Sequence, residues 1–544
     1  MKKFKPAPSL SKRIVQKANK ADWDGVATLL EQLLSDHIDK TRIATYEQLV
    51  AGGKWMLDSG HNDLCLRLCQ AALTSEPKRF EAPEVMFFLF LNLHEHDGAR
   101  DALTLVRNSG PNKATYDSWQ VLLYNEEGNH DSICDLYDAG KINLDRKDPR
   151  ISELIFSVVL ALLAHNRLSE ARSLVDEFYP NPSENNPNIV NLHAKMNQAE
   201  ENFAEAIKYF ELAEEKFEGT QVAVESRWNK ALMELSIGHL ESGWKNYECR
   251  WEWERFTTKK LHFPCEWWRG QPLADKSIII WGEQGIGDEI LFLTLLPEIS
   301  KLKPSKIGIF ASGKIVPIIE KWYPQATVYP FTTHHINVVL PSLDYDYHVP
   351  CGSLPLYLNR LDVASEKQYL PITTDVKNLK SRILTQFPGK KRIVGLSWRS
   401  GSLTHRRVQY YLSYRAVIDI IHEAPSDVLF VSLQYGLTEE ELNQLSGRSN
   451  FHIPDADFFN DVASQGDYIQ SCDLVVTSAS VCLALAGICG TPCITWGPKR
   501  NWTMLGSVKY PWFPLVHLIR CDVNWDLGSL VLQIKKTLQI FYRS

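Results

Sequence analysis

A short apolar run, a glycine-rich turn and a helical pattern follow one another near the middle of the chain. Ser277–Trp281 is apolar and β-branched, as buried parallel strands are. Gly282, Gly285 and Gly287 follow, and Asp288 then precedes apolar residues at helical spacing. Such a turn offers backbone N–H groups and the positive end of a helix to an anion, and glycine lets a phosphate approach closely. Taken alone, the segment also fits an ordinary turn between a strand and a helix.

The first half of the chain repeats a helical pattern of large and small residues. The clearest unit has Phe203, Ala206, Phe210 and Ala213 at helical spacing, and a similar unit begins at Leu168. Clear units lie about 35 to 38 residues apart, close to the roughly 34-residue tetratricopeptide period. The region 21–255 therefore resembles a tetratricopeptide repeat (TPR) array. Such arrays usually bind polypeptide segments; a purely scaffolding or dimerising role is the alternative.

From about residue 256 onward, strand patterns alternate with helical patterns, which is typical of parallel α/β sheets. We expect strands at 277–281, 306–311, 326–330 and 345–349 in a first lobe, and at 392–398, 428–434, 450–453, 473–478 and 492–496 in a second. The sequence thus predicts four parts: an N-terminal tail (1–20), helical repeats (21–255) and two Rossmann-like lobes (256–388 and 389–544). Two such lobes closed by a C-terminal helix are similar to the GT-B fold of glycosyltransferases.

Four motifs in order resemble the heptosyltransferase-like family (glycosyltransferase family 9). The first is the glycine-rich turn through Asp288; the others are Val394-Gly-Leu-Ser-Trp-Arg399, the segment from Asp473 to Pro492, and Trp496-Gly-Pro-Lys-Arg-Asn-Trp502. The likeness extends from about residue 251 to the end. Repeats joined to such a half are also similar to protein O-GlcNAc transferases and bacterial flagellin glycosyltransferases. The resemblance implies an inverting, metal-independent transfer from a nucleotide-sugar.

Four residues are candidates for the catalytic role. In the heptosyltransferases the Asp of the Gly-Asp pair is the proposed base, so the resemblance assigns to Asp288 the removal of the acceptor hydroxyl's proton. A carboxylate that only caps helix N–H groups is the alternative. Glu283 and Glu289 are further candidate carboxylates. His348 belongs to a segment that resembles the family's acceptor-side loop, which makes it a candidate for sugar contact or a second base.

The departing nucleoside phosphate needs cations and helix N-termini for its stabilisation. Arg399 directly follows the predicted strand 392–398 and is expected to contact phosphate, with ordinary surface charge as the alternative; Arg406 lies in the loop that follows. Residues of both lobes complete the predicted donor site: Gly285, Gly287, Gln434, Ser478, Ser480, Lys499 and Trp502.

The chain departs from the heptosyltransferase pattern in one motif. Those enzymes typically carry Asp-Thr and then a His where this chain has Ala479, Ser480 and Ala484. The hydroxyl is kept, while the carboxylate and the imidazole are lost. The donor sugar and its nucleotide (UDP, ADP, GDP or CMP) therefore stay open.

Composition and spacing argue against several other classes. A net charge of -6 over 544 residues argues against non-specific nucleic-acid binding. The eleven cysteines lack zinc-site spacing and suit a reducing cytoplasm. The pairs Asp344/Asp346 and Asp455/Asp457 are interpreted as solvated loop carboxylates rather than a manganese site. We therefore expect no metal and no cofactor, and the most apolar run, 87–93, is too short to span a membrane.

The resemblance, together with these observations, implies a cytoplasmic glycosyltransferase that moves a sugar from a nucleotide-sugar to a protein Ser or Thr hydroxyl. The repeats would recruit the protein acceptor, and flagellin is the acceptor to test first. A lipopolysaccharide or capsule sugar transferase is one alternative. A non-catalytic TPR scaffold with a degenerate transferase half is another, to which the altered segment 479–484 gives support. The sequence leaves the acceptor's identity and the oligomeric state open.

Overall fold

A computed structural model describes residues 13–14, 17–18, 20, 22–40, 44–109, 113–148, 150–181, 186–332, 334–364, 369–401, 410–522 and 525–543. The chain forms two compact units, Met1–Pro180 and Asn181–Ser544. The predicted fold class is confirmed, because helical repeats are followed by two parallel sheets with helices on their faces, as in the GT-B fold.

The first unit is helical over its described residues. Large side chains fill the space between neighbouring helices, and short connections make consecutive helices antiparallel neighbours. Thr45 begins one helix with a capping box, in which its hydroxyl accepts from the Gln48 N–H while the Gln48 side chain accepts from the Thr45 N–H. The helices are α1 Trp23–Ile38, α2 Tyr46–Asp58, α3 Asn62–Ser75, α4 Glu81–Asn92, α5 His96–Ser109, α6 Lys113–Glu126, α7 His130–Asp138, α8 Ile151–Ala164 and α9 Leu168–Phe178.

The second unit begins with four more helices of the predicted repeat region: α10 Pro187–Ala199, α11 Phe203–Lys216, α12 Gln221–Ile237 and α13 Leu240–Tyr247. The last of these packs into the α/β part. Trp244 and Tyr247 are buried in the same apolar cluster as the first sheet, and the Trp244 indole N–H donates to the Leu361 carbonyl at 2.7 Å. The boundary between compact units therefore lies inside the region 21–255 that the sequence assigns to repeats.

The first sheet is parallel and has the strand order β1-β5-β2-β3-β4. The strand order reverses between β2 and β5, which creates a switch point at their carboxyl ends. The short strand β1 was not predicted. The strands are β1 Glu266–Trp267, β2 Ser277–Trp281, β3 Lys306–Ala311, β4 Thr327–Pro330 and β5 Tyr347–Pro350.

The second sheet is also parallel, with the order β11-β10-β9-β6-β7-β8. Its strand order reverses between β6 and β9. The edge strand β11 was not predicted. The strands are β6 Arg392–Ser397, β7 Val428–Ser432, β8 Phe451–His452, β9 Leu474–Ser478, β10 Cys493–Pro498 and β11 Val516–Cys521.

The remaining described helices follow or connect these strands: α14 Ile286–Leu293, α15 Leu296–Lys301, α16 Val316–Trp322, α17 Leu354–Tyr357, α18 Thr374–Gln386, α19 Tyr414–His422, α20 Glu439–Leu445, α21 Val462–Ser471, α22 Val481–Cys489 and α23 Leu527–Arg543. One apolar core runs from the first sheet through α14 and α22 to the second sheet. None of the described helices combines the length and the apolar character needed to cross a lipid bilayer.

Candidate functional site

The glycine-rich turn lies at the carboxyl end of β2, at the switch point of the first sheet. The predicted strand, turn and helix are confirmed here, because β2 ends at Trp281 and α14 begins at Ile286. Gly285 is the N-cap of α14 and is extended. Asp288 is half-buried in the first helical turn, and a Cβ on Gly285 would lie 3.8 Å from its Oδ2 atom.

The corresponding turn of the second sheet lies between β9 and α22. Ser480 is the N-cap of α22, and its hydroxyl lies 3.3 Å from that of Thr477. The Ser478 hydroxyl is buried and has no hydrogen-bond partner among the described residues. A buried polar group of this kind is costly unless a ligand or water pairs with it.

The two turns meet. A Cβ on Gly287 would lie 4.0 Å from the Cα atom of Val481, so the first turn of α14 contacts the first residue of α22. Behind this contact, apolar side chains fill the space between α14 and α22. The polar residues of the two lobes therefore lie together at the N-terminal ends of two packed helices.

Glu283 is fully buried in an ion pair with Arg250, a residue that the sequence analysis did not single out. The Arg250 Nε and Nη2 atoms donate to the two Glu283 oxygens at 2.6 and 2.9 Å. Glu283 also accepts from the Gly352 N–H at 2.7 Å, which ties the β2 turn to the end of β5. Burial opposes the charge of Arg250, but the carboxylates of Glu283 and Glu248 outweigh it and raise the Arg250 pKa.

Glu289 follows Asp288 and links the ends of β2 and β3. Its Oε2 atom accepts from the Ser312 N–H at 3.0 Å, and its side chain passes over Gly282. Burial raises the pKa of Glu289 to about 7, and the neighbouring charges of Asp288 and Glu283 act in the same direction. A carboxyl group with such a pKa titrates near neutral pH.

Two buried tyrosine side chains lie close enough to Asp288 for its charge to affect their pKa values. Burial first, and then the charges of Glu283 and Asp288, raise the pKa of Tyr247. Burial and the Asp288 charge likewise raise the pKa of Tyr510. Tyr247 comes from the last helix of the repeat region and Tyr510 from the loop before β11, and nothing in the sequence pattern connects them with Asp288.

Arg399 and Gln434 lie at the carboxyl ends of β6 and β7. The Gln434 Oε1 atom accepts from the N–H groups of Trp398 and Arg399, both at 3.0 Å. The Arg399 Nη2 atom donates to Glu441 Oε2 at 2.6 Å and to the Gly436 carbonyl at 2.7 Å. Both side chains therefore stabilise the loops that follow β6 and β7, next to the point where the second sheet reverses its strand order. Arg406 lies outside the described residues.

His348 lies in an aromatic cluster rather than beside the glycine-rich turn. Its partner in the strand register is Ile279, which packs in a different cluster from Ile278 and Ile280. The His348 ring stacks on Phe263 at 4.7 Å, and its Nδ1 atom accepts from the Trp281 indole at 3.2 Å. Burial lowers the pKa of His348 to about 4, with help from the charges of Lys260 and His262.

Lys499 and Trp502 both follow β10, but their side chains lie in different environments. Trp502 is half-buried among Trp244, Tyr247 and Phe292. The Lys499 amino group lies 3.5 Å from an Asp522 carboxylate oxygen. Lys499 lines a pocket of about 580 Å³ together with Glu201, Arg520, Cys521, Asp522, Trp525, Ser529, Leu530 and Gln533.

Asp346 and Asp457, one residue from each acidic pair, make hydrogen bonds to nearby residues. Asp346 accepts from the Ser277 N–H and hydroxyl, both at 2.8 Å, and from Lys276, and these contacts lower its pKa to about 2. Asp457 accepts from the Asn460 side chain at 2.7 Å. The described residues contain one trio of side chains close enough to share a metal ion; it lies in the first compact unit.

Of the predicted site residues, the structure brings Gly285, Gly287 and Asp288 against the turn that carries Ser478 and Ser480. Arg399 and Gln434 lie at the switch point beside that turn, whereas Glu283 and His348 are buried in structural contacts. The roles assigned to all these residues stay predictions.

Comparison with known proteins finds one relative among curated sequences and several among solved structures. The protein FlbA of Caulobacter vibrioides is 28% identical over 315 residues, which cover 55% of this chain and 52% of FlbA. The chain therefore matches about half the length of this curated relative. No family model matches the chain.

The structural neighbours include proteins from each of the two groups that the sequence resembles. A glycosyl transferase family 9 protein from Veillonella parvula is 11% identical with a TM-score of 0.37, covering 50% of this chain and 91% of that one. A tetratricopeptide repeat protein from Parabacteroides merdae is 16% identical with a TM-score of 0.33, covering 41% of this chain and 85% of that one.

Proposed function

We propose that the chain is a glycosyltransferase that moves a sugar from a nucleotide-sugar to an acceptor hydroxyl, with a protein Ser or Thr as the favoured acceptor. The observation that carries this proposal is the meeting of the two turns at Gly287 and Val481. Each turn follows a strand at the point where its sheet reverses strand order. Open parallel sheets bind ligands at such switch points, and here two of them face each other.

Asp288 is the general base of the proposed reaction. It lies in the first turn of α14 and is half-buried, so an acceptor hydroxyl can reach it. The base takes the hydroxyl proton as the oxygen attacks the sugar's anomeric carbon and the bond to the nucleotide phosphate breaks. Glu283 is a poorer candidate, because Arg250 and the Gly352 N–H already occupy both of its oxygens.

The nucleotide phosphates bind at the start of α22 in this proposal. Backbone N–H groups of a helix N-terminus attract anions. The unpaired Ser478 hydroxyl and the Ser480 N-cap provide donors at the same place. Arg399 positions the neighbouring loop through Glu441. The proposed reaction includes no metal and no cofactor.

The acceptor is proposed to be a protein recruited by the helical repeats, because stacked helix pairs usually bind polypeptide segments. Flagellin is the acceptor to test first, and the cytoplasm the expected location. The competing function is a non-catalytic scaffold. Ala484 favours it, since this residue lies in the apolar core where the heptosyltransferases typically carry a histidine.

The decisive experiment combines nucleotide binding with a transfer assay. Thermal unfolding of the full chain is followed with UDP, ADP, GDP and CMP, because a ligand that binds the native state alone raises its apparent stability. Intact-mass analysis of co-expressed flagellin then reports any sugar-sized mass gain. The Asp288→Asn variant is expected to keep nucleotide binding and lose transfer by about 10²–10⁴-fold.

The matched control is Asp375→Asn, because Asp375 is an exposed carboxylate in the first turn of α18 and should leave transfer unchanged. Removing residues 1–180, the first compact unit, should abolish protein modification while nucleotide binding persists. Transfer that survives in Asp288→Asn would refute the assigned base. Nucleotide binding without any transfer to protein or glycan would favour the scaffold.

A further inference from the structure

Three metal-ligand side chains come together in the helical repeats. His94 lies in the turn after α4, His96 begins α5, and Glu126 ends α6. One ligand atom from each side chain lies within 4.8 Å of the others. The His94 Nδ1 atom and the Glu126 Oε2 atom lie 3.0 Å apart. We propose that this trio binds a divalent transition-metal ion, with zinc as the best fit.

The backbone around the trio is well fixed. His94 has the left-handed conformation at the end of α4, with φ of 57°, and its N–H donates to the Leu91 carbonyl at 3.1 Å. The Glu95 N–H donates to the Phe90 carbonyl at 2.9 Å. A Cβ on Gly98 would lie 2.9 Å from the Phe90 ring, so the first turn of α5 contacts α4 closely. The two imidazoles are therefore carried by a turn whose backbone is hydrogen-bonded to α4 and packed against it.

Two imidazole nitrogens and one carboxylate oxygen suit zinc. Zinc bonds to such atoms are about 2.1 Å long, so ligand atoms in a tetrahedral site lie about 3.4 Å apart. The 3.0 Å separation of His94 and Glu126 is close to that value, and the other separations, each at most 4.8 Å, require the side chains to move when the ion binds. His94 is exposed and the other two side chains are half-exposed, which leaves room for this rotation and for water as a fourth ligand.

The local charge is compatible with a cation. Arg100, four residues after His96, is paired with Asp97 and Glu127. The Arg100 Nε atom donates to Glu127 Oε1 at 2.9 Å. The His94–Glu126 contact joins the turn between α4 and α5 to the end of α6, and the Arg100–Glu127 pair joins α5 to the residue that follows α6. A metal ion at the trio would reinforce the same junction between consecutive helical pairs.

Zinc binding is tested on the full chain without an affinity tag, since added histidines bind zinc themselves. Calorimetric titration with zinc is expected to show one site. The variants His94→Ala and His96→Ala should each weaken it at least tenfold. Their matched control is His61→Ala, which removes an imidazole paired with the Asp24 carboxylate in the same unit and should leave zinc binding unchanged.

Two further measurements distinguish a site from adventitious binding. Cobalt in place of zinc should give the visible absorption bands of a nitrogen- and oxygen-bound ion, and His96→Ala should abolish them. Hydrogen exchange should slow in α4, α5 and α6 when zinc is added to the wild type. The proposal is overturned if zinc binding is equal in the wild type and both histidine variants, or if zinc leaves exchange in these helices unchanged.

Discussion

Arg250 and Glu283 form a fully buried, two-bond ion pair between the end of the helical repeats and the glycine-rich turn. Their N···O distances are 2.6 and 2.9 Å, and neither side chain is exposed to solvent. Arg250 also donates to Ser353 at 2.9 Å, so a single guanidinium joins the repeat region, the β2 turn and the segment after β5. The position of Asp288, five residues after Glu283, depends on this junction.

Arg250→Met should destabilise the second compact unit by about 3–5 kcal/mol, because it leaves the Glu283 carboxylate buried without its partner. Adding Glu283→Gln should recover part of the loss, since the amide oxygen can still accept from the Gly352 N–H. Tryptophan fluorescence in urea measures both effects. Lys245→Met, which removes an exposed pair with Glu241, is the control and should cost less than about 1 kcal/mol. An Arg250→Met variant as stable as this control would contradict the prediction.

Glu289→Gln should become more stable than the wild type as the pH rises. The native Glu289 keeps its proton up to about pH 7, whereas the unfolded chain releases it near 4.5. The wild type therefore loses stability between these two values, by up to about 3 kcal/mol, and glutamine cannot ionise. Urea midpoints at pH 5 and pH 8 measure the difference. Exposed Glu320→Gln provides the comparison, and a pH-independent gap between Glu289→Gln and the wild type would refute the assignment.

His348→Phe should protect the protein against acid. The native His348 stays neutral down to about pH 4, while an unfolded histidine takes up a proton near 6.5. Wild-type stability is thus complete above 6.5 and falls as the pH drops toward 4, by at most about 3 kcal/mol. Phenylalanine removes this dependence but leaves the Trp281 indole unpaired, at a cost of about 1–3 kcal/mol at every pH. Unfolding at pH 4.5 and 7 separates the two effects, with exposed His517→Phe as the reference.

Gly487→Ala and Gly466→Ala should act in opposite directions, although both glycines lie in helices of the second lobe. A Cβ on Gly487 would overlap the Phe513 ring, so alanine there should cost about 1–3 kcal/mol. A Cβ on Gly466 meets nothing within 4 Å, and alanine there should gain about 0.5–1 kcal/mol. Thermal unfolding compares the two variants, and equal effects would show that α22 does not pack as closely on Phe513 as described.

Local patterns were sufficient to predict the element that carries the candidate base. Apolar β-branched residues followed by glycines specify a strand and a turn through short-range preferences, so β2, the turn and α14 were predicted correctly. The strand β11 was not predicted. It is an edge strand, and its pairing with β10 is a tertiary contact that the local sequence does not specify. The ion pair of Arg250 and Glu283 joins residues 33 positions apart, and no periodic pattern in the sequence indicates it.

The environment of His348 shows a second limit of sequence reasoning. A residue near the carboxyl end of a predicted strand is expected to approach the ligand-binding edge, but its side chain can lie on either face of the sheet. The register of Ile279 with His348 places the imidazole with Trp281 and Phe263, away from the face that α14 covers. That register is set by the pairing of two strands that lie 65 residues apart in the chain, and no local sequence pattern specifies this pairing.

The division of the chain after Pro180 has a consequence for how such proteins can vary. Helices α10 to α13 share a compact unit with both sheets, and α13 contributes Trp244 and Tyr247 to their core. Relatives that gain or lose a helical pair should therefore do so before residue 180, where the change leaves the Arg250 junction intact. The number of helices before residue 180 can then change, while α10 to α13 and the two sheets stay together in one compact unit.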